Sequence, residues 1–266
     1  VATKNSQLNT HRPEILDYEL GISEQAGVRN LHFGSEWIQG AMRIRRPFSL
    51  ELAYTREMMA CLLLRPETDW PQRVLLIGLG AGSLAKYLYL NLPQTRITAV
   101  EIDARIPPLA RQQFSLPDDP RRLKIVIADA ADYIRESGRK FDAIFADGYC
   151  PNGPVAKLDT LEFYAACRNR LSAQGLLISN LLSRSRGYAA SAERIHETFE
   201  QRSLVFPSLD SGNAIAFAAC GEAVDVTLED MRTQALVLKQ RTGLDLRPTI
   251  TRLQLVQSLP QGRLRF

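Results

Sequence analysis

Three glycines at alternating positions, Gly78, Gly80 and Gly82, follow a short apolar run (74–77) and precede a helix-compatible segment starting at Ser83. A strand, a tight turn and a helix N-terminus together present free backbone N–H groups to a ligand, and side chains in the turn would hold that ligand away. Two acids stand at corresponding places further along. Glu101 closes the next apolar run (97–100), a little over 20 residues past Gly78, where a carboxylate accepts hydrogen bonds from ribose hydroxyls. Asp129 follows the run 123–127 and can accept from an adenine amino group. The dinucleotide fingerprint G-x-G-x-x-G is not met, because Ser83 stands where its third glycine would be. The spacing therefore favours a nucleoside without a pyrophosphate. Singly, the glycines can be plain turn residues and the acids helix N-caps or surface groups; at the ends of three successive strands they read together as an adenosine site.

Positioning such a site requires alternating strands and helices. Strand signals at 74–77, 97–100, 123–127, 143–146 and 176–181 alternate with helical patterns at 83–90, 108–114, 130–136 and 161–171. That alternation predicts right-handed β-α-β units and a parallel sheet with helices on both faces, ligands lying at the carboxyl ends of the strands. A helix at 188–199 and a closing strand pair at 203–206 and 214–220 complete this part. Ahead of it, short runs at 15–20, 28–33 and 37–44 separated by turn formers predict a small antiparallel domain, and one helix over 50–64 leads into the glycine turn. The tail from Val224 reads as helical, with Thr227 as N-cap before Leu228, Glu229 and Asp230. The expected division is a β-rich domain over 1–50, a Rossmann-like nucleoside-binding domain over 51–223 and a helical tail over 224–266.

Composition narrows the function classes. With 266 residues and 45% hydrophobic content, the chain can bury a full core. No secretory signal or membrane span is visible in it, and a cytoplasmic location is the expectation. Cys61, Cys150, Cys167 and Cys220 are widely spaced without a C-x-x-C, and there are only three histidines; neither a disulfide framework nor a metal site is expected. The net charge of +4 is mild, and the densest basic cluster, Arg43, Arg45 and Arg46, reads as solvated surface, so no nucleic-acid partner is expected. Met58 and Met59 read as core residues.

The segments VLLIGLGAGS, AVEID, DDPRRLKIVIADA, FDAIFADGYCPNGP and LDTLEFY resemble those of the spermidine synthases, the polyamine aminopropyltransferases, over roughly 39–220. The resemblance implies an α/β protein of the Rossmann-like class I S-adenosylmethionine-dependent methyltransferase fold with a small N-terminal β domain. It further implies decarboxylated S-adenosylmethionine as co-substrate, a small-molecule amine as acceptor, and a homodimer. By position, Gln39, Gly78, Gly80, Gly82, Glu101, Asp129 and Ala130 are then the nucleoside side of the site. Tyr54, Tyr149 and Cys150 are the acceptor side, and Asp147 is the catalytic aspartate.

An aspartate suits that role. An amine with pKa near 10.4 is free base in only about one molecule in 10³ at neutral pH, a penalty of roughly 4 to 5 kcal/mol before it can attack carbon beside a sulfonium. A carboxylate at hydrogen-bond distance binds the ammonium and takes its proton. The departures are as specific as the matches. The family's D-[ST]-[ST]-D-P-x-G-P is here Asp147 to Pro154 with Cys150 in place of the second aspartate; with no histidine adjacent in sequence to Cys150, this thiol reads as a small packing residue rather than a nucleophile. Ala81 replaces the acid of G-G-G-D-G, which pairs with the donor's propylammonium, and Leu209 and Ala214 replace a tyrosine and a tryptophan near the end. Three readings follow: aminopropyl transfer to an amine, methyl transfer from ordinary S-adenosylmethionine, or non-catalytic nucleoside binding.

Overall fold

In the computed structural model the described residues are 18–65, 69–148, 155–182, 188–209, 212–256 and 259–266. The first elements among the described residues form an antiparallel meander of β1 (Leu20–Gln25), β2 (Val28–Phe33) and β3 (Ile38–Arg43). Of the strand expected over 15–20, residues 15–17 lie outside the described residues, and β1 extends beyond the rest of it, to Gln25. The cause is the turn: Gln25 pairs with Val28, and the two residues between, Ala26 and Gly27, both have positive φ, 51° and 76°. That is the twist-matched two-residue hairpin turn, and its position fixes the register of both strands.

The helix expected over 50–64 is split into α1 (Ala53–Met58) and α2 (Cys61–Leu64). Between them Met59, Ala60, Leu62 and Leu63 donate to the carbonyls three residues back, which tightens the backbone into 3₁₀ geometry. Met58, Met59, Ala60 and Cys61 are all fully buried, so this segment lies inside the core rather than along its rim, and the methionines are core residues as expected.

From there strands and helices alternate: β4 (Arg73–Ile77), α3 (Ser83–Asn91), β5 (Arg96–Glu101), α4 (Ile106–Phe114), β6 (Leu123–Ile127), α5 (Ala130–Glu136) and β7 (Phe141–Ala146). A 3₁₀ turn (Val155–Leu158), α6 (Leu161–Arg170), β8 (Leu171–Leu182), α7 (Ala189–Thr198), β9 (Ser203–Pro207) and β10 (Asn213–Ala219) follow. The seven-stranded sheet among the described residues has the order β6-β5-β4-β7-β8-β10-β9. Every pairing from β6 to β8 is parallel and those of β10 are antiparallel. The order reverses at β4, whose neighbours are β5 and β7, so the crevice for a ligand opens at its carboxyl end.

Alternation within β4 divides the core. Val74 and Leu76 face one cluster with α3, α4 and the tail, whereas Leu75 and Ile77 face the other with α5, α6 and α7. After β10 come β11 (Asp225–Thr227), α8 (Leu228–Thr242), α9 (Arg247–Val256) and β12 (Arg263–Arg265). Thr227 caps α8 as expected, its hydroxyl accepting from the Asp230 N–H. The tail is not purely helical, because β11 and β12 pair antiparallel; strands of three residues are too short to show a period of two.

One buried cation was not anticipated. Lys86, on α3, is 1% exposed and donates from Nζ to the Phe114 carbonyl at 2.7 Å, while Arg29 donates to the neighbouring Gln113 carbonyl at 2.5 Å. Together they satisfy carbonyls at the end of α4. Burial pushes the Lys86 ammonium down from its usual range to about 7. The unfolded chain then binds a proton that the folded chain resists holding, so stability should rise as pH increases from about 7 towards 10. Urea unfolding of wild type and Lys86→Met at pH 7 and 9.5 checks this: the wild-type gain across that interval should exceed the variant's by about 1 to 3 kcal/mol, and equal gains would show that Lys86 is charged and fully compensated.

Candidate active site

All three glycines of the turn have positive φ: 89° at Gly78, 51° at Gly80 and 69° at Gly82. Gly78 is also sterically required, since a Cβ there would lie 2.5 Å from the backbone oxygen of Asp147. The turn therefore lets the ends of β4 and β7 touch, and the Asp147 N–H donates to the Ile77 carbonyl at 2.9 Å to hold them together. Against the other side of the turn lies β3. A Cβ on Gly40 would meet the Ala81 Cβ at 2.6 Å, and the Ser83 hydroxyl donates to the Ala41 carbonyl at 3.2 Å. Gln39 sits at the bulge where β3 shifts register against β2, with its backbone oxygen 3.7 Å from where a Gly80 Cβ would be. The N-terminal meander thus forms one wall of the crevice, and Gln39 is brought to the turn.

Glu101 is 7% exposed at the end of β5. Its Oε2 accepts from the Leu79 N–H at 2.9 Å and its Oε1 from the Asp103 N–H at 3.0 Å. The carboxylate fixes the turn after β4 and the loop after β5 at once. Burial pushes its pKa up against these backbone donors.

Asp129 lies two residues beyond β6 and is the N-cap of α5, with Oδ1 accepting from the Ala131 and Asp132 N–H groups. Its Oδ2 faces Lys157 Nζ at 3.2 Å, an exposed pair of small energetic weight. Ala130 is the first residue of α5 and half-buried.

Asp147 follows β7 and is half-buried. Tyr54, on α1, donates its hydroxyl to Oδ2 at 3.2 Å, and Asn180, on β8, donates Nδ2 to Oδ1 at 2.8 Å. Asn213, on β10, in turn donates to Asn180 Oδ1 at 3.0 Å. Burial pushes the Asp147 carboxyl up to about 6, although the Asn180 and Tyr54 hydrogen bonds pull the other way. At neutral pH it is mostly ionised, and both of these partners are neutral. A half-buried carboxylate held by neutral donors favours a cation in front of it.

The structure thus gathers Gln39, Tyr54, Gly78, Gly80, Gly82, Glu101 and Asp147 at the carboxyl end of β4, β5 and β7, with Asp129 and Ala130 beyond β6. Tyr149 and Cys150 lie outside the described residues. Asn180 and Asn213 were not singled out from sequence; the available signal was a polar residue inside one apolar stretch, with Leu181 and Leu182 after it, and another just ahead of the next, 214–219. Leu209 is 66% exposed and Ala214 is fully buried. Among the described residues no group of three or more His, Cys, Asp or Glu could hold a metal ion, and no helix is long and apolar enough to cross a membrane.

Sheet order, glycine turn and strand-end acids define the class: a Rossmann-like α/β protein of the class I S-adenosylmethionine-dependent methyltransferase fold with a small N-terminal β sheet. Two solved structures are similar at the level of fold. A probable spermidine synthase from Corynebacterium glutamicum has a TM-score of 0.69 at 21% identity, covering 86% of this chain and 92% of its own. Human methyltransferase-like protein 13, in complex with SAH, has a TM-score of 0.62 at 24% identity, covering 73% and 93%. The family follows from sequence. Residues 51–200 match the spermine/spermidine synthase domain, and the polyamine aminopropyltransferase of Neisseria meningitidis serogroup A is 36% identical over 228 residues, 85% of this chain and 86% of that one. The chain belongs to the spermine/spermidine synthase family.

Proposed function

We propose that this chain transfers the aminopropyl group of decarboxylated S-adenosylmethionine to a small amine, with Asp147 binding and deprotonating the attacking nitrogen. The carrying observation is the Asp147 carboxylate itself, half-buried, lifted to about 6 and held by the neutral side chains of Tyr54 and Asn180. An acceptor ammonium entering there pairs with the carboxylate and gives up a proton to it. The freed nitrogen lone pair attacks the propyl carbon beside the sulfonium, the C–N bond forming as the C–S bond breaks. Both bonding electrons of the C–S bond go to sulfur, so methylthioadenosine leaves neutral, and Asp147 passes its proton to water. In this reading Glu101 accepts from the ribose, Asp129 and Ala130 meet the adenine edge, and Gln39 faces the donor; Tyr149 and Cys150 stay on the acceptor side by sequence alone. Family likeness supports a homodimer, and composition supports a cytoplasmic setting and chemistry without a metal.

Methyl transfer from ordinary S-adenosylmethionine is the second reading, and Ala81 favours it. This residue is 2% exposed and packed on Gly40, so no acid stands there to select the decarboxylated donor. The Asp147 charge nevertheless opposes a carboxylate on the donor. Calorimetry with both donors should show the decarboxylated form bound at least about tenfold tighter, the scale of one charge-assisted contact. Tighter binding of ordinary S-adenosylmethionine would overturn the aminopropyl reading in favour of the second.

A further inference from the structure

The supports of Asp147 close into a ring, and its far side is a buried acid that neither the sequence motifs nor the proposed chemistry uses. Glu57 lies one turn beyond Tyr54 on α1 and is 4% exposed. It accepts from the Ser208 hydroxyl and, at 3.1 Å, from the Leu209 N–H, and Arg252 of α9 reaches within 3.6 Å of it. Ser208 N–H donates to the Asn213 carbonyl at 2.9 Å, closing the β9–β10 hairpin. The Asn213 side chain bonds Asn180, which bonds Asp147. Asp147 is therefore held from one side by Tyr54 and from the other by Asn180, and both arms meet at Glu57.

We infer that Glu57 is a positioning residue for the transfer: by gripping Ser208 it sets α1 against the β9–β10 hairpin, and so sets the distance between the Tyr54 hydroxyl and the Asn180 amide across Asp147. Glu57 serves two donors with separate oxygens and faces Arg252; a glutamine could keep the Leu209 N–H only with Ser208 turned round to accept from its amide, and it removes the charge facing Arg252. The acceptor nitrogen meets Asp147 within this frame, whereas the nucleoside is held by the glycine turn and Glu101 outside it. Loosening the ring should therefore slow transfer to the amine and spare the nucleoside, since displacements of about 1 Å at a reacting centre cost up to 10²-fold in rate.

This inference rests on the aminopropyl-transfer reading, and the test separates the two. Glu57→Gln and the milder Ser208→Ala, which deletes a single hydroxyl, are compared with wild type in kcat/KM for the amine, in calorimetric affinity for methylthioadenosine, and in the Asn180 side-chain amide resonances by NMR. Both variants should lose roughly tenfold or more in kcat/KM for the amine, keep methylthioadenosine affinity within about twofold, and shift the Asn180 amide signals. The double variant Tyr54→Phe with Ser208→Ala should lose less than the product of the single losses, because both cut the same ring. Strictly multiplicative losses, an equal fall in nucleoside affinity, or unmoved Asn180 signals would overturn the inference. Absence of transfer by wild type would overturn the reading instead, and the Asn180 signals alone would then decide the ring. If Glu57→Gln does not fold, the same three measurements on Ser208→Ala decide.

Discussion

Asp147→Asn should cut transfer to an amine severely, with kcat/KM falling by about 10² to 10⁴, the range for loss of a general base, while methylthioadenosine binds within a few-fold of wild type. The split follows from place. The side chain of Asp147 faces Tyr54 and Asn180, whereas its contribution to the glycine turn is made by its backbone oxygen and N–H, which asparagine retains. Wild-type turnover should fall as pH drops through about 6, where the carboxyl takes up a proton in the free protein, and a residual activity in the variant should lack that limb. Unchanged turnover would remove Asp147 from the chemistry altogether.

The same substitution should move stability the other way. A carboxyl raised from its usual value to about 6 in the fold holds its proton more tightly folded than unfolded. Its favourable contribution is complete below the unfolded pKa and is lost as pH rises through the folded one. At pH 7 to 8 the native state carries that loss, at most about 3 kcal/mol from the shift and less because part of the group is wet. Replacing an acceptor oxygen by a donor gives back about 1 kcal/mol of hydrogen bonding. The ligand-free variant should therefore be about 1 to 2 kcal/mol more stable than wild type at pH 7.5 and no more stable near pH 4 in urea unfolding. A stabilised but inactive variant would separate loss of chemistry from loss of fold.

How much of this was legible beforehand depended on the kind of signal. Strand and helix positions from 73 to 219 stand close to expectation, because each buried strand is a short apolar run between turn formers and each helix carries its own boundary. Gly78 was readable as a turn residue, but its second duty, clearing the Asp147 backbone oxygen, is a contact between residues 69 positions apart and leaves no local trace. Asn180 and Asn213 were missed for the same reason: one sits within β8 and the other starts β10, and only the antiparallel pairing, with Asn213 opposite Leu182 and Ile215 opposite Asn180, makes them diagonal neighbours. β1 begins where the expected run 15–20 ends, because Ala26-Gly27, which carries the hairpin turn, is a weaker signature than Asn-Gly. Glu57 carries no signal of its own in the sequence, and only the return of α9 and the β9–β10 hairpin onto α1 makes it a buried acid.

Glu101 carries the second large expectation, and the structure enlarges it. A ribose contact alone would make Glu101→Ala weaken an adenosyl ligand by about 1 to 3 kcal/mol. Yet both carboxylate oxygens already accept from the Leu79 and Asp103 N–H groups in a nearly sealed place. Beside them Asp103 is itself locked: burial works against its charge, but Arg105 and the Tyr18 hydroxyl outweigh that and hold its pKa below the usual range. Removing the Glu101 carboxylate strands two backbone donors, so alanine should cost about 2 to 4 kcal/mol of folding stability besides the affinity. Glutamine separates the two effects, keeping the shape and one acceptor while presenting an N–H₂ where a second acceptor is needed. Calorimetry with methylthioadenosine and its 3′-deoxy analogue then decides the ribose role. In wild type the deoxy analogue should bind about tenfold more weakly, and in Glu101→Gln the two should bind nearly alike, because the partner of the hydroxyl is gone. If the deoxy penalty persists in the variant, Glu101 supports the turn without touching the nucleoside, and the ribose contact belongs to another group.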